Sequence, residues 1–257
     1  MTTFIHPTAL VSPTAKIDSN VKIGPFCVVE DNVVIKSGTV INSFVHIASD
    51  TFVGKDCQIF QGSVIGEIPQ DLKYDGEKTK LIIGDRVTVR EYCTINKGTN
   101  ANGETLIGND VLLMAYVHIA HDCIIGNNVI LANGVQLGGH VEIGDWVTVG
   151  GMTPIHQFTK IGCHAFIGGG YRIVQDIPPY ILAMGEPLKY AGINSVGLRR
   201  RKFPPEVRDI IKKIYKIIFK SKTNLSESIK LIKRNYCDNK EATIILDFIK
   251  NSNRGLI

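Results

Sequence analysis

The chain lacks any apolar run approaching the roughly 20 residues that a bilayer-spanning helix needs. It also lacks a basic-then-apolar leader, since Met1-Thr2-Thr3-Phe4 passes straight into patterned sequence. A cytoplasmic protein without a transmembrane segment is therefore expected. No CxxC pair occurs among its 6 cysteines, which argues against a disulfide framework or a thiolate metal site. Neither disorder nor low complexity is indicated, because 44% apolar and 21% charged residues are ordinary for a globular chain of 257. The net charge is modest at +5, and no nucleic-acid partner is expected. The charge is unevenly placed, however, with well over half the Lys and Arg after Glu186. That polarisation suggests an acidic partner or substrate phosphates, against the plainer alternative of a solvated helical surface.

What the chain does have is an aliphatic residue every sixth position. Ile5, Val11, Ile17, Ile23, Val29, Ile35, Ile41, Ile47, Val53, Ile59 and Ile65 form one run; Ile83, Val89 and Ile95 resume it; and a third run goes from Ile107 through Ile119, Leu137 and Ile155 to Ile173. Four residues after each rung sits something small or β-branched, with Cys27, Cys57, Cys93 and Cys123 among them as compact apolar side chains. A period of six is neither helical nor simple strand alternation. It describes short strands joined by tight corners of Gly, Asn or Asp. Units of this kind cannot bury an apolar face alone and must stack on their neighbours, as in a parallel β-helix.

Two polar stretches break the ladder, Glu67 to Lys80 and Lys97 to Thr105, and both are expected to be loops ejected from the coil. The solenoid is assigned residues 1–177 and a connector 178–203. A helical domain, 204–257, begins at Pro204-Pro205, where the apolar period becomes helical. Asn224 with Glu227 marks a second helix start, and a third helix is expected from about Lys240 to Lys250.

A solenoid encloses no pocket, so ligands must bind on outer faces, under loops or between subunits. In His118-Ile119-Ala120-His121-Asp122-Cys123 the inward pair is Ile119 and Cys123, which leaves His121 outside. One coil is about 18 residues, so the column through His121 continues at Gly139 and Gln157 with a spacing of roughly 4.8 Å. An imidazole with a glycine directly above it pairs a proton acceptor with an accessible backbone N–H for a developing oxyanion.

The repeat resembles that of the hexapeptide-repeat acyltransferase superfamily, whose members wind a left-handed β-helix of triangular section. Further motifs narrow the resemblance: Gly139-His140, Ile155-His156-Gln157-Phe158, Gln70-Asp71-Leu72-Lys73-Tyr74, Gly197-Leu198-Arg199-Arg200-Arg201 and the Arg254-Gly255-Leu256-Ile257 ending. Together they resemble the UDP-N-acetylglucosamine O-acyltransferase family of lipid A biosynthesis over essentially the whole chain. The resemblance implies a mainly β fold, a left-handed parallel β-helix followed by a small α-helical domain. It also implies a homotrimer that uses no cofactor or metal, the acyl donor being carried on the phosphopantetheine of acyl carrier protein. His121 would be the general base toward the sugar 3-hydroxyl, Asp122 its supporting carboxylate and Gly139 the oxyanion-hole donor. Gln70, Asp71, Lys73, Asn96, His118, His140, His156, Gln157, Asn194, Arg200 and Arg201 match substrate-binding positions. Gly151 and Gly169, one coil apart, would line the acyl groove, and glycine at 169 implies acceptance of a chain of around fourteen carbons.

Asn96 stands where well-known members carry His. N-acylation of a 3-amino UDP-sugar therefore remains an alternative, as does the related UDP-3-O-acyl-glucosamine N-acyltransferase activity, although that family carries an additional N-terminal domain. A γ-class carbonic anhydrase would need three His on zinc, and it gives the loop Gln70 to Tyr74 and the helical tail no role. A non-catalytic scaffold would have no need of His121.

Overall fold

The computed structural model describes residues 2–221 and 224–257. Its 27 strands, most of them two residues long, fall into three sheets of 11, 8 and 8 strands. The first sheet starts with Phe4–Ile5, the second with Leu10–Val11 and the third with Lys16–Ile17. Successive strands visit the three sheets in turn, and each pairs in parallel with the strand one coil on, as in Ile119↔Leu137 and Ile125↔Ile143. This is a parallel β-helix of triangular section. Every rung from Ile23 to Ile173 is buried, whereas Ile5, Val11 and Ile17 are partly exposed because no coil lies beneath them.

The small inner position does more than fill space. Thr39 Oγ1 donates to Gly54 O at 2.8 Å, Ser63 Oγ to Arg90 O at 2.9 Å and Cys123 Sγ to Gly138 O at 3.3 Å. Ser, Thr and Cys are thus interchangeable here as donors to a turn carbonyl of the next coil. Burial pushes the Cys93 thiol up to about 11 and the Cys123 thiol up to about 12, so both stay protonated.

Three residues after most rungs the backbone turns left-handed. Asn20, Asn32, Asp50 and Asn128 take this place with φ near +60°, as their residue types favour, but so do Phe26, Tyr92, Tyr116, His140, Trp146 and Phe158. The rings recover part of that cost by stacking on the equivalent corner one coil away. Phe26 on Phe44 lies at 5.1 Å, Tyr92 on Tyr116 at 5.5 Å and His140 on Phe158 at 4.5 Å.

The stretch after Ile177 is more regular than the connector assigned to 178–203. Ile181–Met184 extends the first sheet in parallel, Lys189–Ile193 returns antiparallel to it, and α1 (Ser195–Arg200) follows. Ile181 and Ala183 are fully buried, which is why this segment joins the sheet despite Pro178-Pro179 ahead of it. Three helices complete the fold: α2 (Pro205–Lys220), α3 (Leu225–Asn235) and α4 (Lys240–Lys250), with Asn224 and Asn239 capping α3 and α4. They are tied to the solenoid by the Tyr215 hydroxyl, which donates to Pro179 O at 2.5 Å, and by the C-terminal tail. There the fully buried Asp176 accepts from Ser252 Oγ, Asn253 N and Arg254 N at 2.7–3.2 Å.

Candidate active site

Both ejected loops leave the same corner, the one between the second and third sheets. The first joins Val64–Glu67 to Lys80–Ile83 and the second joins Thr94–Asn96 to Glu104–Ile107. On the next coil this corner is Ala120–Cys123, on the following one Gly138–Val141, and then His156–Thr159. Five consecutive coils therefore place loop Gln70–Tyr74, loop Lys97–Thr105, His121-Asp122, Gly139-His140 and Gln157-Phe158 along one edge of the prism.

At the centre His121 Nδ1 lies 2.7 Å from Asp122 Oδ2. Asp122 is 1% exposed; burial pushes its carboxyl up, but hydrogen bonds from Thr99 and His121 outweigh that and hold it below the usual carboxylate range. An ionised Asp122 can only accept, so the proton of the shared bond sits on Nδ1, and in the neutral imidazole Nε2 is the nitrogen that accepts a proton. Asp71, on the first loop, brings Oδ2 to 4.0 Å from that Nε2. His140 crosses edge-on at 5.1 Å between ring centroids and places its Nε2 3.7 Å from Asp122 Oδ2. Burial lowers the pKa of His140, and of His118 as well, which accordingly stay neutral near pH 7; His118 Nδ1 pairs with Thr94 Oγ1 at 2.7 Å.

Gly139 lies directly over His121. A Cβ built on it would fall 2.6 Å from His121 Cε1 and 2.7 Å from Nε2, so only glycine leaves room for the ring. At the corner between the third and first sheets the amide two residues after a rung is taken by a side chain of the next coil, as Asn109 N is by Asn127 Oδ1 and Asn127 N by Asp145 Oδ1. The buried Gly139 N–H has no such acceptor among the described residues. A base and an open N–H thus stand one coil apart, the arrangement that acyl transfer through a tetrahedral intermediate needs.

Other candidates lie around this centre. His156 and Gln157 are exposed one coil above Gly139. Gln70 and Lys73 are exposed on the first loop, where Lys73 N donates to Asp71 Oδ1 at 3.0 Å. Asn96 is buried at the base of that loop; its Nδ2 donates to Ile68 O at 2.8 Å, and its Oδ1 has no partner. Beside Asp122 and His140 is a recess of about 250 Å³ that also reaches Asn102 and Lys160. A larger cavity, about 520 Å³ between α4 and the third sheet, holds none of these imidazoles. His121, Asp122 and His140 could offer a cation three ligand atoms within 4.8 Å of one another. Asp122 Oδ2, however, already accepts from both His121 and the Thr99 hydroxyl, each at 2.7 Å.

The remaining candidates sit at other corners. Asn194 caps α1 through Gly197 N and donates to His164 O at 2.9 Å. Arg201 donates to Trp146 O at 2.8 Å and lies over that indole, at the corner between the third and first sheets, with the exposed Arg200 beside it in sequence. Gly151 and Gly169 occupy the corner between the first and second sheets, where a Cβ on Gly169 would meet Gly151 O at 2.9 Å. A single chain does not bring either group to His121. Conversely, Thr99, Asn102 and Thr105 surround Asp122, and no motif in the sequence marks them.

Residues 176–257 match the family model described as Udp N-acetylglucosamine O-acyltransferase, Domain 2, and residues 104–139 match Bacterial transferase hexapeptide (six repeats). A curated acyl-[acyl-carrier-protein]--UDP-N-acetylglucosamine O-acyltransferase of Paracidovorax citrulli is 50% identical, with 98% of each chain covered. The chain belongs to the UDP-N-acetylglucosamine O-acyltransferase family. Solved structures agree. LpxA from Acinetobacter baumannii superposes with a TM-score of 0.96 at 42% identity, covering 99% of both chains. The UDP-N-acetylglucosamine acyltransferase from Bacteroides fragilis gives 0.96 at 42%, covering 99% of this chain and 100% of that one. Membership carries with it the left-handed winding of the solenoid.

Proposed function

We propose that the protein transfers a hydroxyacyl group from the phosphopantetheine thioester of acyl carrier protein to the 3-hydroxyl of UDP-N-acetylglucosamine. The observation that carries this is the His121–Asp122 pair with an unpartnered Gly139 N–H beside its Nε2. His121 Nε2 takes the proton of the sugar hydroxyl as its oxygen attacks the thioester carbonyl carbon. Asp122 stabilises the imidazolium that forms, and the carbonyl oxygen, now an oxyanion, accepts from Gly139 N–H. Collapse of the intermediate breaks the C–S bond, and the departing thiolate recovers the proton from His121. Asp71, Lys73, Gln70, Asn96, His118, His140, His156 and Gln157 surround the place where the sugar must lie.

The active unit is a homotrimer. Asn194, Arg200 and Arg201 sit at a corner their own His121 does not share, so they can serve the reaction only at a neighbouring copy's site, where the two Arg would meet the nucleotide phosphates. Large rings left in the open along the corner between the first and second sheets support the assembly: Phe26, Phe44, Tyr92 and Tyr116 are each more than half exposed. No helix among the described residues is long and apolar enough to cross a membrane. Mass spectrometry of products made from UDP-N-acetylglucosamine and a panel of hydroxyacyl carrier proteins tests the proposal. An ester at the 3-oxygen, lost in His121→Ala, is the expected result. Transfer only to a 3-amino sugar nucleotide would move the acceptor to nitrogen, and undiminished transfer by His121→Ala would remove the base.

A further inference from the structure

Asp122 must hold one oxygen against His121 Nδ1 from a corner whose backbone is left-handed, φ +59°. The second ejected loop provides the restraint. Thr99 donates twice to the carboxylate, from its N–H to Oδ1 at 2.9 Å and from its hydroxyl to Oδ2 at 2.7 Å. The same loop and the strand that follows it secure the backbone of Asp122, with Asn102 Nδ2 donating to its carbonyl at 3.1 Å and Thr105 Oγ1, in that strand, accepting its N–H at 2.9 Å. The loop is itself closed by Gly103 N to Thr99 O at 2.7 Å and leans on the first loop through Asn100 N to Glu77 Oε1 at 3.3 Å.

The oxygen that takes the Thr99 hydroxyl is also the one that His121 uses, and it has a competitor. His140 Nε2 is 3.7 Å from it, close enough to capture the carboxylate after a small rotation. We infer that Thr99 is a positioning residue for acyl transfer: its hydroxyl fixes the rotation of the Asp122 carboxylate so that Oδ2 faces His121 instead of His140. The inference rests on His121 being the base. It assigns the second loop to the support of the base, where the first loop, carrying Asp71, reaches the open side of the same imidazole.

Thr99→Val keeps size and the backbone N–H but removes the hydroxyl. Losses from such supporting positions are typically about 10- to 100-fold, and that drop is expected in kcat, with KM for the sugar nucleotide within about threefold. Thr99→Ser restores the donor and should recover most of kcat. Because Thr99 acts through Asp122, adding Thr99→Val to Asp122→Asn should cost nothing further, the non-additivity of residues in one network. Nitrogen-15 shifts of labelled histidine, read on the folded protein at equilibrium, should show His121 as the Nδ1–H tautomer in the wild type and as a mixture in Thr99→Val. Wild-type kcat in Thr99→Val, or losses that multiply with those of Asp122→Asn, would overturn the inference. So would an unchanged His121 tautomer, even if that variant proved too unstable for kinetics. His121→Ala separates the two ideas: if it is inactive while Thr99→Val is normal, only the role of Thr99 fails, and if it is fully active the base itself is wrong.

Discussion

Replacing Gly139 by Ala tests the centre of the site with a single methyl group. The added carbon would sit 2.6 Å from His121 Cε1, 2.7 Å from Nε2 and 3.2 Å from Nδ1. Carbon atoms rest at about 3.5 Å or more from their neighbours, so the imidazole must retreat by roughly 0.8–1 Å. The backbone at Gly139 is not left-handed, so alanine is admissible there and the strain falls on the ring. His121 can retreat only by lengthening its 2.7 Å bond to Asp122, which Thr99 pins, or by turning Nε2 away from the open N–H. A misplacement of about 1 Å costs on the order of 100-fold in rate, or about 2.7 kcal/mol of barrier at 1.36 per decade. The expected outcome is kcat reduced about 100-fold in steady-state acyl transfer, with a melting temperature close to wild type because the ring lies at the surface edge of the coil. The oxyanion N–H survives the substitution, so the loss reports the position of the base alone. A folded Gly139→Ala enzyme within threefold of wild-type kcat would show that the ring moves at no cost and that the stacking of glycine over histidine has no catalytic meaning.

Three other outcomes follow from the same structure. Gly169→Met places a side chain where even a Cβ meets Gly151 O at 2.9 Å and N at 3.2 Å; the preferred acyl chain should shorten by several carbons in mass spectra, and an unchanged profile would take this corner out of the acyl groove. Residues 187–257 carry 17 Lys and Arg against 6 Asp and Glu, so kcat/KM for the acidic carrier protein should fall steeply between low salt and about 0.5 M as screening shortens the field, whereas a flat response would mean that these charges only solvate the helices. Burial, aided by the Arg201 charge, pushes the His164 imidazole down to about 4 from an ordinary 6.5. The unfolded chain thus binds the proton first, and stability present above pH 6.5 is lost progressively toward pH 4. His164→Phe, which keeps a ring between Trp146 and Tyr180, should flatten the melting temperature over that window, and an unaltered slope would assign the acid loss elsewhere.

The placement of Gly139 over His121 is legible in the sequence because no loop interrupts the 18 residues between them, and the loops inserted earlier preserve the phase of the ladder. Gln58 pairs with Thr88, 30 residues on, and Thr88 with Leu112, 24 on, where an uninterrupted coil takes 18. The insertions are thus 12 and 6 residues, whole repeats, and counting across them would have put both loops at the His121 corner. Thr99 and Asn102 are not legible, since their contacts depend on how an aperiodic loop folds over Asp122. Phe26, Tyr92 and Trp146 read as outliers at corner positions suited to Asn, Asp or Gly, and only the ring ladder explains them. The strand Ile181–Met184 was hidden by the prolines before it, and its pairing partner, Phe166–Ile167, lies in a coil the period does not extend past.

The corner also explains how a prism without an interior pocket can be an enzyme. A thioester carbonyl under attack needs a proton acceptor beside the incoming oxygen and a donor at its own oxygen, two points a few ångströms apart. Adjacent coils are spaced by about 4.8 Å, so a base on one coil and an N–H on the next meet that requirement through the repeat itself. The departures from the repeat then become intelligible. Two coils below Gly139 extrude loops because something must hold Asp122 and approach His121 from outside. Gly139 N–H keeps no acceptor among the described residues although Gln157 follows one coil on, whereas Asn109 N and Asn127 N, at another corner, are taken by side chains; an open N–H is what the oxyanion needs. His140 takes the left-handed corner conformation that Asn or Asp would adopt more cheaply, and its stack on Phe158 offsets part of that cost while keeping an imidazole 3.7 Å from the carboxylate.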